Sequence, residues 1–156
     1  MGKTISTAID INRFFLSILL TTCIALILSF GAEIFGIRSC DLCRMQRFIY
    51  LCLFFISACG IFSNLKRFFL FSIGIFAFLG LLLSVYHLGV QNNVFYDACS
   101  VEIVKTIGEL KSTMFSQKIP CSRVSLSLFG VPVTALNALI CAIILTTFLR
   151  KESVLK

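Results

Sequence analysis

The chain has 156 residues, of which 58% are hydrophobic and 13% charged, and its mean hydropathy is +1.00. A soluble core of this length cannot hide so much apolar surface, so a soluble globular domain is excluded and lipid must be the solvent. The net charge of +7, from 14 Lys and Arg against 7 Asp and Glu, is scattered between apolar runs; it forms no patch suited to nucleic acid and reads as membrane topology.

Four apolar runs follow one another, at about 14–35, 43–63, 68–88 and 131–149. Each approaches the roughly 20 residues that cross a bilayer. The runs are continuous rather than alternating, and lipid tolerates only helices or closed barrels, so the expected fold is all-α: a single four-helix membrane domain over 1–156. A cleaved signal peptide, with Ser29-Phe30-Gly31 as its small-x-small site, is the rival reading of the first run. That run is too long for it, which favours an uncleaved helix.

An even number of crossings puts both termini on one side. Lys3 and Arg13 precede the first run, Lys66 and Arg67 join the second to the third, and Arg150, Lys151 and Lys156 close the chain. The other seven cations, Arg38, Arg44, Arg47, Lys105, Lys111, Lys118 and Arg123, fall on the opposite side. The tie is broken by density: the first set lies in short segments nearly free of acids, whereas a long loop translocates with little regard to charge. Both termini are therefore expected in the cytoplasm, and the loops at about 36–42 and 89–130 outside it. Within the long loop, Val101, Ile103, Val104, Ile107, Leu110 and Met114 recur at three- and four-residue steps, which predicts a short helix lying on the membrane surface.

The eight cysteines sort into two classes. Cys23, Cys52, Cys59 and Cys141 lie within the apolar runs and read as small hydrophobes. Cys40 and Cys43 form a C-x-x-C at the outer mouth of the second helix, and Cys99 and Cys121 lie in the long loop on the same side. A thiolate is the reactive form of cysteine, and Cys43 falls at a helix start with Arg47 one turn on, an arrangement expected to lower a thiol pKa. The same guanidinium could donate hydrogen bonds to a carbonyl oxygen of an aromatic redox molecule between the helices. The bland alternative makes Arg47 a snorkelling anchor and the C-x-x-C a loop staple; two intervening residues leave a staple little loop entropy to remove. A zinc site from the four loop cysteines is disfavoured, because such sites show two close pairs and Cys99 and Cys121 are far apart. His87, the lone histidine, ends the third run at the same depth as Cys43 and Arg47. Taken alone, it is more often a satisfied interfacial residue, but a hydrogen bond or proton for a second carbonyl is within its chemistry.

Taken together, Cys40-Asp41-Leu42-Cys43 followed by Gln46-Arg47, Tyr86-His87-Leu88-Gly89-Val90-Gln91, the separated Cys99 and Cys121, and Leu128-Phe129-Gly130-Val131-Pro132 resemble the disulfide bond formation protein B family, DsbB, over nearly the whole chain. The resemblance implies a bacterial inner-membrane thiol oxidase that takes electrons from a periplasmic thioredoxin-fold, DsbA-like dithiol protein and passes them to ubiquinone or menaquinone. It implies that Cys40 and Cys43 are the quinone-proximal pair with Cys43 engaging the quinone, that Cys99 forms the mixed disulfide with the partner, and that Cys121 is the disulfide partner of Cys99. It also places Arg47, and with less definition His87, at the quinone. The departures are a short second loop, Ser122 where an acidic residue is common, and the absence of Trp.

Two other readings make different predictions. A vitamin K epoxide reductase-like enzyme also has two cysteine pairs, but there the loop pair precedes the C-x-x-C, the reverse of the order here. A four-helix scaffold stapled by inert disulfides predicts that Cys40 and Cys43 stay oxidised with or without quinone.

Overall fold

The computed structural model describes residues 2–36, 39–96, 121, 127–128 and 131–155. Four helices carry the fold: α1 Gly2–Ile34, α2 Asp41–Phe62, α3 Lys66–Gln91 and α4 Val133–Leu155. Their apolar spans contain 25, 22, 26 and 21 residues. At about 1.5 Å per residue even the shortest is roughly 32 Å long, enough for a hydrocarbon core of about 30 Å. The outward faces are apolar as well, with Ile27, Leu28, Phe55, Phe71 and Leu139 exposed, the pattern expected when lipid covers the bundle. The protein is a multi-pass, all-helical membrane protein. Among the described residues the single extended pairing is a two-residue antiparallel bridge between β1 Ser127–Leu128 and β2 Val131–Pro132.

The helices pack in chain order, α1 on α2, α2 on α3 and α3 on α4. A core of Phe15, Ile18, Leu53, Leu70, Ile73, Ala77, Ile144 and Phe148 fills the half of the bundle away from the cysteine pair. Lipid tails are as apolar as these side chains, so close packing and polar pairs, rather than hydrophobic exclusion, must hold the helices together. Both are present. Gln46 donates to the Ser84 hydroxyl at 3.3 Å, Thr134 donates to Gln91 at 2.6 Å, and Tyr50 donates to Asn137, tying α2 to α3 and α4, and α3 to α4. On α3, Gly74, Ala77, Gly80 and Ser84 form a buried stripe. A Cβ on Gly74 would stand 2.7 Å from the Phe148 ring and one on Gly80 would stand 2.9 Å from the Cys141 sulfur. Gly74→Leu should therefore lower stability by about 1–3 kcal/mol by overpacking the α3–α4 contact. Titration with a denaturing detergent checks this, and an unchanged midpoint would show that the contact yields freely.

The helix limits differ from the sequence reading in ways that move the site. Helix α2 starts at Asp41 rather than Cys43, which makes Cys40 its N-cap. Helix α3 runs on to Gln91, so His87 is buried a turn inside it rather than at its end. Helix α1 begins at Gly2, well before the apolar run, and closes on Gly36 in the left-handed region (φ +85°). Helix α4 starts at Val133, because Val131 and Pro132 are taken by the β bridge, and it continues to Leu155. The surface helix expected from Ser100 onward, and Cys99, lie outside the described residues.

Candidate active site

The C-terminal ends of α1 and α3 meet the N-terminal ends of α2 and α4, and the cysteine pair lies there. Cys40 and Cys43 present their sulfurs 2.6 Å apart, close to the separation of about 2.05 Å at which a disulfide closes. The helix terminus serves a different sulfur from the one the sequence leads one to expect. Because Cys40 is the N-cap, its Sγ accepts the otherwise unpaired backbone N–H of Cys43 at 3.4 Å. The Cys43 thiol also donates to it, and His87 Nε2 approaches to 3.6 Å from α3. Those hydrogen bonds, Cys43 first and His87 after it, outweigh burial and hold the Cys40 thiol down at about 5 against an ordinary 9.0.

This depression fixes a sign. Above pH 5 the reduced protein holds Cys40 as thiolate; the stabilisation this gives the folded reduced state is complete above pH 9 and is lost as pH falls through 5. Thiolate absorbance of the reduced protein, titrated upward from acid, should accordingly show a first step with a midpoint near 5. A first step near the ordinary thiol value would remove the N-cap account.

Arg47 lies one turn beyond Cys43 with its side chain largely buried. Its fork does not reach for the cysteines. Nη1 donates to Glu33 and Nη2 to the Ser29 carbonyl at 3.1 Å, both on α1, and the guanidinium lies 5.3 Å from the centre of the Phe30 ring. Glu33 is a site residue that sequence reasoning missed. Its signal was there: an ionisable side chain at the end of an apolar run is expensive in lipid and calls for a partner. Holding both terminal nitrogens leaves Arg47 Nε buried with no partner among the described residues, and His87 Nδ1 is in the same condition. Buried polar atoms in native proteins are nearly always satisfied, so two such orphans beside one cysteine pair suit a group rich in acceptors. A quinone, which offers two carbonyl oxygens and no donor, fits Arg47 Nε, and fits His87 Nδ1 when both ring nitrogens carry hydrogen, since Nε2 already donates to the Cys40 sulfur. His87 is 1% exposed, with one ring nitrogen facing Cys40 and the other unpartnered among the described residues.

Cys121 completes the cluster. It is fully buried and packs with Cys40 and Val90, with Leu42, Cys43 and Tyr86 around them. It is disulfide-bonded, whereas Cys23, Cys40, Cys43, Cys52, Cys59 and Cys141 are free. The structure thus brings together Cys40, Cys43, Cys121 and His87, with Arg47 beside them on α2.

The family model for the disulfide bond formation protein DsbB matches residues 12–150. The chain belongs to the DsbB family. The match spans all four helices and every cysteine named above, so this DsbB family member is a membrane protein of disulfide bond formation, of a family that is generally oxidoreductase, quinone-linked and paired with DsbA-like proteins. No curated protein and no solved structure matches the chain.

Proposed function

We propose that this DsbB family member is a protein dithiol:quinone oxidoreductase of the bacterial inner membrane, with both termini cytoplasmic and the cysteine pairs periplasmic. It reoxidises a thioredoxin-fold, DsbA-like partner and delivers the electrons to ubiquinone or menaquinone. The observation that carries the reading is the packing of a disulfide-bonded Cys121 against the close pair Cys40 and Cys43, which gives exchange between two cysteine pairs a short path.

The exchange is written with Cys99 as the disulfide partner of Cys121. A partner thiolate attacks the Cys99 sulfur and Cys121 leaves as thiolate. Cys121, beside Cys40, attacks the Cys40 sulfur of the oxidised C-x-x-C, and Cys43 leaves. The partner's second thiolate then attacks its own sulfur in the mixed disulfide, frees Cys99 and closes the partner's disulfide. Cys99 attacks Cys121, and Cys40 departs. A low thiol pKa makes Cys40 a fast leaving group in that last step. Two electrons now reside on Cys40 and Cys43, which reclose as they are given up. A bound quinone supplies the two-electron acceptor. Arg47 Nε would hold one of its carbonyl oxygens and stabilise the charge that develops there, and His87, with both ring nitrogens carrying hydrogen, would face Cys40 through Nε2 and hold the other oxygen, or pass it a proton, through Nδ1.

The test is the redox state of Cys40 and Cys43 in protein treated with a reduced dithiol partner, read by alkylation and mass, with and without quinone. The proposal expects the pair reduced without quinone and oxidised with it. An inert staple would stay oxidised in both.

A further inference from the structure

Zinc held by the four loop cysteines is disfavoured by their spacing, but a different set of ligands meets at the site. Cys40 Sγ, Cys43 Sγ and a ring nitrogen of His87 all lie within 4.8 Å of one another. We propose that in the reduced protein these three side chains bind one thiophilic divalent cation, Zn²⁺ or its congener Cd²⁺, and that the bound cation blocks reoxidation of the pair.

The distances are close to those required. With Zn–S of about 2.3 Å and Zn–N of about 2.0–2.1 Å, tetrahedral ligand atoms stand roughly 3.5–4 Å apart. Cys40 Sγ and His87 Nε2 are already 3.6 Å apart. The two sulfurs, at 2.6 Å, need to part by about 1 Å, a small side-chain rotation in an N-terminal turn where C-x-x-C half-sites are commonly built. The ligands come from two packed helices, α2 with its N-cap and α3, and Cys40 and His87 are 2% and 1% exposed, so the site is held rather than assembled from loops.

Charge favours the complex. A divalent cation that takes the Cys40 thiolate, displaces the Cys43 thiol proton and takes the imidazole lone pair leaves no net charge in a buried position, where an unbalanced charge would be costly. Arg47, a fixed cation close by on α2, is paired with Glu33, which lessens its opposition. Three protein ligands leave a fourth position open.

The consequence is redox gating. No electrons move on binding, but both sulfurs are committed to the cation and cannot form a bond to each other. Once the disulfide has closed, neither sulfur is a thiolate ligand. Cation and oxidant therefore exclude one another, and the effect on turnover rests on the function proposed above.

The experiment uses the full chain in detergent, reduced with a phosphine and then titrated with Cd²⁺, following the thiolate-to-cadmium absorbance. A parallel sample is first oxidised with diamide, which closes the disulfide whether or not the chain reduces a quinone. The reduced protein should bind Cd²⁺ with a two-thiolate band that Zn²⁺ displaces, and prior oxidation should abolish that band. Cys40→Ser should remove the tight phase, and His87→Ala should weaken it by at least about tenfold. The proposal is overturned if the band is equal in both redox states, if it is equal in Cys40→Ser, or if His87→Ala leaves the affinity unchanged. The two redox states of the unaltered chain decide the matter even where a variant fails to fold. Turnover measured in chelator separates the two ideas: quinone reduction without cation binding overturns this inference alone, and cation binding without quinone reduction overturns only the proposed function.

Discussion

Replacing Arg47 by alanine should slow quinone reduction by about 100- to 1,000-fold, the usual cost of removing one preorganised donor from a developing oxyanion. The helices should survive, because among the described residues Arg47 bonds to α1, through Glu33 and the Ser29 carbonyl, while α1 and α2 also pack along their length through Phe15 and Leu53. The guanidinium divides its labour. Its two terminal nitrogens are occupied and its Nε is buried and unpartnered, so the side chain is fixed and has one donor to give. Lysine keeps the charge but has no planar fork to be held while donating elsewhere, so Arg47→Lys should recover little of the rate. Stopped-flow absorbance of quinone reduction, with helicity measured on the same samples, checks both variants. Normal kinetics in Arg47→Ala would remove Arg47 from the site and leave it an anchor.

Cys121→Ser should abolish turnover with a protein dithiol while sparing turnover with a small dithiol. A protein partner cannot present its sulfur to Cys40, which is 2% exposed behind Cys121 and Val90; its electrons must pass through the second pair. A small dithiol can attack the more accessible Cys43 sulfur directly and needs no relay. Loss of both activities would mean that Cys121 supports the fold of the site. Retention of both would mean that Cys40 and Cys43 accept electrons from the partner without a relay.

The membrane helices were legible because lipid imposes a length and an unbroken apolar run, and both are properties of local sequence. Their ends were not. The sequence reading stopped α3 near Leu88, where hydropathy falls and Gly89 suggests a break, yet the helix continues because Val90 packs against Cys40 and Cys121 and Gln91 accepts the Thr134 hydroxyl. Tertiary partners decide that turn. The same holds at Cys40. Read as a string, the C-x-x-C gives the helix dipole and Arg47 to Cys43; in three dimensions the helix starts two residues earlier, the capping position falls to Cys40, and Glu33 claims the guanidinium. The residue types at the site could be read from the motif, whereas which sulfur is stabilised, and which nitrogen is left to donate, depend on where α1 and α3 lie.

Passage of electrons from a dithiol protein through this chain to a quinone is measured by mixing the purified protein in detergent with a reduced thioredoxin-fold dithiol protein and a ubiquinone or menaquinone analogue, and following quinone absorbance. Catalytic turnover is expected, many quinones reduced per chain, with the dithiol protein oxidised in equal amount. No turnover across several quinones and several dithiol proteins would contradict it and leave a membrane bundle whose disulfides are structural.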